Sequence, residues 1–193
     1  EANGRVYVVA TRALSRALPY AFDAVTAAEL DWHPLLNDAL TIATQGSQVA
    51  VGGQFRVAGG MRRKHLVALD LATGRPAAVQ PAEPFGAVNA LATYGDIVFV
   101  GMESGAPEIF AFSASSRQRY PWGLVPNGIP RTLLVVDQTL YIGGFFSKLS
   151  GEDHPFIGAV DLSTAALLPW NPGLDFDVSE LTSSSTRIYA VGR

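Results

Sequence analysis

Apolar and polar residues alternate in short bursts along this chain, and the bursts recur. VYVVA (from Val6), VAVGG (Val49), VFVGM (Val98), LYIGG (Leu140) and IYAVG (Ile188) are versions of one tag. Each is rich in β-branched and aromatic residues, the mark of a strand. A second tag follows the first four: AFDAVTA (from Ala21), ALDLATG (Ala68), AFSASSR (Ala111) and AVDLSTA (Ala159). The first tag is also preceded by an apolar stretch, ALTIA, AVNALA, TLLVV or VSELT, across turn-like TQGSQ, TYGD, VDQT and SSSTR. No segment holds a helical period for long between Gly and Pro; Pro19 interrupts ALSRALPYAF, the one stretch that could start a helix.

Each unit thus predicts four short strands. The apolar stretch is the first, the Val-x-Val-Gly tag the second and the Ala-x-Asp tag the third. The fourth ends in DWHP, VQP, PWG or PWNP. Four-stranded units recurring at roughly 45 residues have the period of β-propeller blades. The expectation is an all-β propeller of four-stranded antiparallel blades, a single domain over 1–193. It divides into a partial blade (1–34), three blades (35–82, 83–126, 127–173) and a partial blade (174–193). Joining the ends would put one strand too many in the closing blade. The alternatives are a compact four-bladed ring with a spare strand and an arc of a larger ring, the reading preferred here. The arc's remaining blades would come from sequence or a chain outside this segment.

Within the frame some positions repeat. Asp23, Asp70, Ser113 and Asp161 are followed three residues on by Thr26, Thr73, Ser116 and Thr164. Such side chains bond nearby backbone N–H groups in tight turns, and Gly74 supplies a positive φ. Further on stand Trp32, Val79, Trp122 and Trp170, where an indole is expected to pack between neighbouring blades.

The connection from second to third strand varies. It is long in 56–65 and 147–155, and such loops on a fixed scaffold are where binding resides. The candidate binding residues are Arg62, Arg63, Lys64 and His65 in the first loop and Lys148, Glu152, Asp153 and His154 in the second. The basic group suits an anionic sugar or an acidic patch on a partner, although a solvated loop is the simpler reading. His65 and His154 with Glu152 and Asp153 carry metal-binding atoms. Their loops belong to alternate blades, so surface-loop histidines are expected and no metal is assigned. Phe55, Phe146 and Tyr120 can stack on sugars or belong to the core.

Composition narrows the classes. Of 193 residues 48% are apolar, and 14 basic against 17 acidic residues give a net charge of −3. No basic excess exists to neutralise phosphates, so a nucleic-acid partner is not expected. There is no Cys, hence no disulfide framework and no thiolate chemistry. No apolar run reaches the ~18 residues of a bilayer span. Neither a G-x-S-x-G elbow nor a phosphate loop is present, and no cofactor is expected.

VGGQFRVAGG with LVALDLATG (51–74), and YIGGFFSKLSGEDHPFIGAVDLSTAALLPWNP (141–172), resemble the delta-sixty repeats of a bacterial propeller family. The remaining units keep the period but not the second Gly-Gly motif. The resemblance implies a secreted or cell-surface module without catalytic residues, for binding or assembly, with a protein or carbohydrate partner. A propeller-type enzyme acting on glycans and a purely structural subunit are the alternatives. The A-x-D-x-x-T-G tag is also similar to the tryptophan-docking motif of quinoprotein propellers. That likeness would imply calcium-binding carboxylates and a vicinal disulfide, which a chain without Cys lacks.

Overall fold

The computed structural model describes residues 3–11, 16–78, 80–103 and 105–193. Val79, and part of the ALSRALPYAF segment, lie outside them. The described residues contain no helix and form antiparallel sheets. The first sheet pairs β1 (Arg5–Ala10) with β2 (Leu18–Asp23). The second has β3 (Ala39–Gln45), β4 (Gln48–Gly53) and β7 (Leu66–Asp70); the connection before β7 carries a small hairpin, β5 (Val57–Ala58) and β6 (Met61–Arg62). The third runs β8 (Ala87–Tyr94), β9 (Ile97–Glu103), β10 (Glu108–Ser113) and β11 (Arg119–Leu124). The fourth runs β12 (Ile129–Val136), β13 (Thr139–Phe145), β16 (Ile157–Asp161) and β17 (Ala166–Leu167), with the hairpin β14 (Lys148–Leu149) and β15 (Glu152–Asp153) before β16. The last pairs β18 (Val178–Ser183) with β19 (Ile188–Gly192).

The fourth strand departs from expectation. It is a full strand only in the third sheet and two residues long in the fourth. In the first two sheets it shrinks to the single bridges Phe22↔Glu29 and Leu69↔Pro76. Proline supplies no N–H to a ladder, and Pro34, Pro76, Pro81 and Pro169 punctuate these stretches. In the second sheet a side chain substitutes: Gln80 accepts from Ala68 N–H at 2.9 Å and donates to Ala68 C=O at 2.9 Å.

The turn after each third strand forms as the side chains require. Asp23 Oδ1 accepts from Thr26 N–H at 2.7 Å and from its hydroxyl at 2.8 Å, and Asp70 Oδ1 accepts from Thr73 likewise. The residue that closes the turn has a left-handed φ in every copy: Ala27 (57°), Gly74 (69°), Arg117 (63°) and Ala165 (59°).

Neighbouring sheets pack through their first strands, β3 on β8, β8 on β12 and β12 on β18, with β1 against β3. The Gly-Gly tag makes this possible. A Cβ on Gly52 would lie 2.3 Å from Val88 Cγ1, and one on Gly143 2.6 Å from Val178 Cγ1, both on the next sheet. The first sheet reverses the volumes, with Val9 at this step and Ala39 opposite in the same core cluster. The second glycine serves the sheet itself: a Cβ would lie 2.2 Å from Asp38 O at Gly53 and 2.2 Å from Ile129 O at Gly144.

The core lies between sheets. One cluster joins Tyr7 and Trp32 to Val49, Leu69 and Leu71; others join Ala50 to Val88 and Phe110, Phe99 to Leu140 and Ile142, and Ile157 to Val178 and Leu181. Trp32 is 1% exposed, edge-on to Tyr7 and beneath the Gly74 turn of the next sheet. Trp122 packs edge-on to Phe99 and donates from Nε1 to Ala165 C=O at 3.3 Å, again the turn of the next sheet. Trp170 has Tyr141 on one side and is 38% exposed.

Candidate functional site

The two long connections fold into equivalent hairpins that meet the chain entering their own sheet. Gly59 N–H donates to Leu35 C=O at 2.8 Å in the first. In the second, Leu149 bridges to Pro126, and Asn127 Oδ1 accepts from Ser147 and Lys148 N–H, each at 2.9 Å. Phe55 and Phe146 root the hairpins in the core, so neither can stack on a ligand; Tyr120 is exposed.

The candidate residues separate into free and engaged groups. Arg62 and Glu152 are exposed on the hairpin strands. Arg63 is half-buried: its Nε donates to Leu66 C=O at 2.9 Å, Nη2 donates to Pro81 C=O, and Glu83 stands at 3.9 Å. Burial lowers its pKa and Glu83 opposes the shift. Arg63 therefore braces the 81–84 segment, where Lys64 N–H also donates to Glu83 and His65 Nδ1 lies 3.4 Å from Pro84 O. Lys148 pairs with Asp153 across its own hairpin at 2.8 Å, an ion pair that lowers the Asp153 pKa. Arg63 and Lys148 thus have carboxylate partners close by, whereas Arg62 and Glu152 face solvent. His154 corrects the surface-loop expectation. It is 4% exposed, packs beside Gly158, and its Nδ1 has no hydrogen-bond partner among the described residues. The cause is alternation: Asp153 faces outward at the end of β15, so the next side chain turns to the core. No group of three or more His, Asp or Glu able to hold a metal occurs among the described residues.

A second feature was missed by sequence reasoning. The register between first and second strands slips at one step in four sheets: Ala39/Thr41, Val88/Ala90, Pro130/Thr132 and Val178/Glu180. Each slip inserts Leu40, Asn89, Arg131 or Ser179, and a bulge of this kind re-aims side chains. Leu40, Asn89 and Arg131, with Thr41, Thr132, Glu180 and Val9, line one cavity of about 270 Å³ where these first strands converge. It lies at the strand ends from which the hairpins leave, since Ala39 pairs with Gly53 and Ile129 with Phe145. Arg131 Nη1 pairs with Asp177 Oδ2 at 3.0 Å, and Asn89 Nδ2 donates to Glu103 Oε2 at 3.1 Å. Leu181 N–H donates to Thr132 Oγ1 at 3.3 Å. Desolvation raises the Glu180 pKa, and the Leu181 N–H works against it. A second cavity of about 310 Å³ lies further along the same strands, beside Thr44, Thr93 and Val135; Ile42 and Leu133 border both. The sequence carries Asn89, Arg131 and Ser179 at this step but Leu40 in the first bulged strand, and nothing local marks any of them as an insertion.

These features define an all-β protein of repeated antiparallel sheets packed through their first strands. The fold is similar to that of two computationally designed proteins known from crystal structures. Ika8 is 16% identical with a TM-score of 0.60, over 100% of this chain and 66% of that one, so this chain spans less than two thirds of its length. Ika4 is 16% identical with a TM-score of 0.59, over 80% of this chain and 85% of that one. No protein-family model and no curated protein matches the chain.

Proposed function

We propose that the chain is a β-propeller module, non-catalytic, that binds a protein or carbohydrate partner through the rim where its hairpins and the bulged first strands meet. One observation carries this reading: the frame repeats while the rim does not. Turn geometry, glycine positions and bulges recur from unit to unit, whereas Leu40, Asn89 and Arg131, and Arg62 against Asp153, differ at matching places. Variable side chains on a repeated scaffold are how propellers and other solenoids carry recognition. The succession of β3, β8, β12 and β18 about shared cavities supports the propeller architecture. As an arc of a larger ring it would take its remaining blades from outside this segment. Secretion or display on a bacterial surface rests on the repeat resemblance alone. A glycan-cleaving enzyme would need two facing carboxylates; among the described lining residues Glu180 is the carboxylate, and Asp177 nearby is engaged by Arg131.

A glycan array of neutral and acidic oligosaccharides tests the reading, probed with the wild type and with Arg62→Glu. The expected result is binding by the wild type that Arg62→Glu weakens at least tenfold while the circular dichroism spectrum stays unchanged. Equal binding by both proteins would remove the hairpin from the site.

A further inference from the structure

The bulge step gives the cavity its chemistry. Asn89 and Arg131 sit at equivalent insertions in neighbouring first strands and reach the same space, and Glu180 joins them from β18. We propose that the cavity of about 270 Å³ binds a small, uncharged polyhydroxylated ligand of monosaccharide class. This rests on the binding-module reading and names a ligand class for its central cavity, apart from the hairpin residues.

Three observations point to that class. The first is charge. Arg131 is matched by Asp177 at 3.0 Å, and Glu180 is an exposed carboxylate on the same lining. The site offers no unopposed cation for a phosphate or carboxylate ligand. The second is the set of polar atoms. Asn89 keeps one amide N–H and its Oδ1 beyond the bond to Glu103, Thr132 keeps its O–H beyond the bond from Leu181 N–H, the Thr41 hydroxyl donates or accepts, and Glu180 accepts. Sugar hydroxyls also donate and accept at once, so a mixed set suits them. The third is shape. At about 30 Å³ per water the cavity has room for roughly nine waters, the scale of a single sugar ring. Leu91 and Leu133 are buried in the flanking cores, so the surface the cavity offers is mainly polar, which suits a ring bearing hydroxyls on most of its carbons.

Saturation-transfer NMR and calorimetry with glucose, galactose, mannose and N-acetylglucosamine test the proposal, with glucuronate and glucose 6-phosphate as charged counterparts. The proteins are the wild type, Asn89→Leu, Glu180→Gln and, on a remote turn, Arg75→Glu, each first shown folded by circular dichroism. The expected result is binding of a neutral sugar in preference to its charged counterpart. Glu180→Gln and Asn89→Leu should each weaken it at least tenfold, and Arg75→Glu should leave it as in the wild type. If Asn89→Leu does not fold, Glu180→Gln decides alone. Failure of every monosaccharide to bind the folded wild type overturns the proposal. So does preference for a charged sugar, or affinity untouched by both cavity variants. Array binding that is lost in Arg62→Glu but kept in both cavity variants overturns the cavity site and leaves the hairpin reading standing. Monosaccharide binding through the cavity without any effect of Arg62→Glu does the reverse.

Discussion

Ala27, Arg117 and Ala165 hold left-handed backbone at 57°, 63° and 59°, where the second unit uses Gly74 at 69°. A non-glycine residue there carries a cost of about 1–2 kcal/mol, and glycine adds back about 0.5–1 kcal/mol of lost chain entropy. Ala27→Gly is therefore expected to raise stability by up to about 1 kcal/mol, read as a higher urea midpoint. Gly74→Ala should lower it, since its Cβ would lie 3.2 Å from the Trp32 ring nitrogen at an unfavourable φ. The same turns make stability depend on acid. The Thr26 backbone N–H, then its hydroxyl, holds Asp23 below its ordinary 3.8; the Thr73 hydroxyl does so for Asp70, the Ser113 hydroxyl for Asp96 and the Ser163 hydroxyl for Asp161. Groups with a depressed folded pKa stabilise above the unfolded value and lose that contribution as pH falls through the folded one. Urea midpoints should be level near neutrality and fall below about pH 4. Glu180 has the opposite sign, because desolvation raises its pKa and its ionisation opposes folding as pH rises. These turns were legible in sequence, since an Asp or Ser with a hydroxyl residue three positions on dictates a local bond. The burial of His154 was not, because strand alternation in so short a hairpin shows only once its register is known.

At the scale of elements, sheets meet by exchange of volume. Gly52 faces Val88 and Gly143 faces Val178, while Val9 shares its cluster with Ala39. Gly52→Ala alone should cost at least about 1–3 kcal/mol. Adding Val88→Ala should recover part of that loss, a coupling that a double-mutant cycle measures. The indoles grade in the same way. Trp32→Ala, at a fully buried contact, should cost about 3–5 kcal/mol. Trp170→Ala should cost clearly less, because Trp170 is 38% exposed. The tags announced every second and third strand. The fourth strand was over-read from the Trp-Pro endings, because prolines deplete the ladder and the Gln80 amide can take a strand's hydrogen bonds. The bulges were not legible, since an extra residue in one strand is defined only against its partner.

For the whole molecule, far-ultraviolet circular dichroism should show β signal with almost no helix; substantial helicity would contradict the fold. β19 is paired on one side only, and Tyr189 and Val191 are exposed on it, Val191 at 63%. An unpaired apolar edge invites pairing with another chain, so the 193-residue chain on its own should self-associate with rising concentration in sedimentation. Val191→Lys should suppress that association, and a monodisperse 193-residue chain would argue against an open edge. The sequence by itself determined the repeat, the identity and order of the second and third strands, and the turn chemistry, because these depend on residues within a few positions of one another. Only the tertiary structure decided that Arg63 is a brace, that His154 is core, and that Asn89, Arg131 and Glu180 share a cavity. Those facts depend on which strands lie side by side and in what register, and that is fixed by packing across sheets rather than by neighbours along the chain.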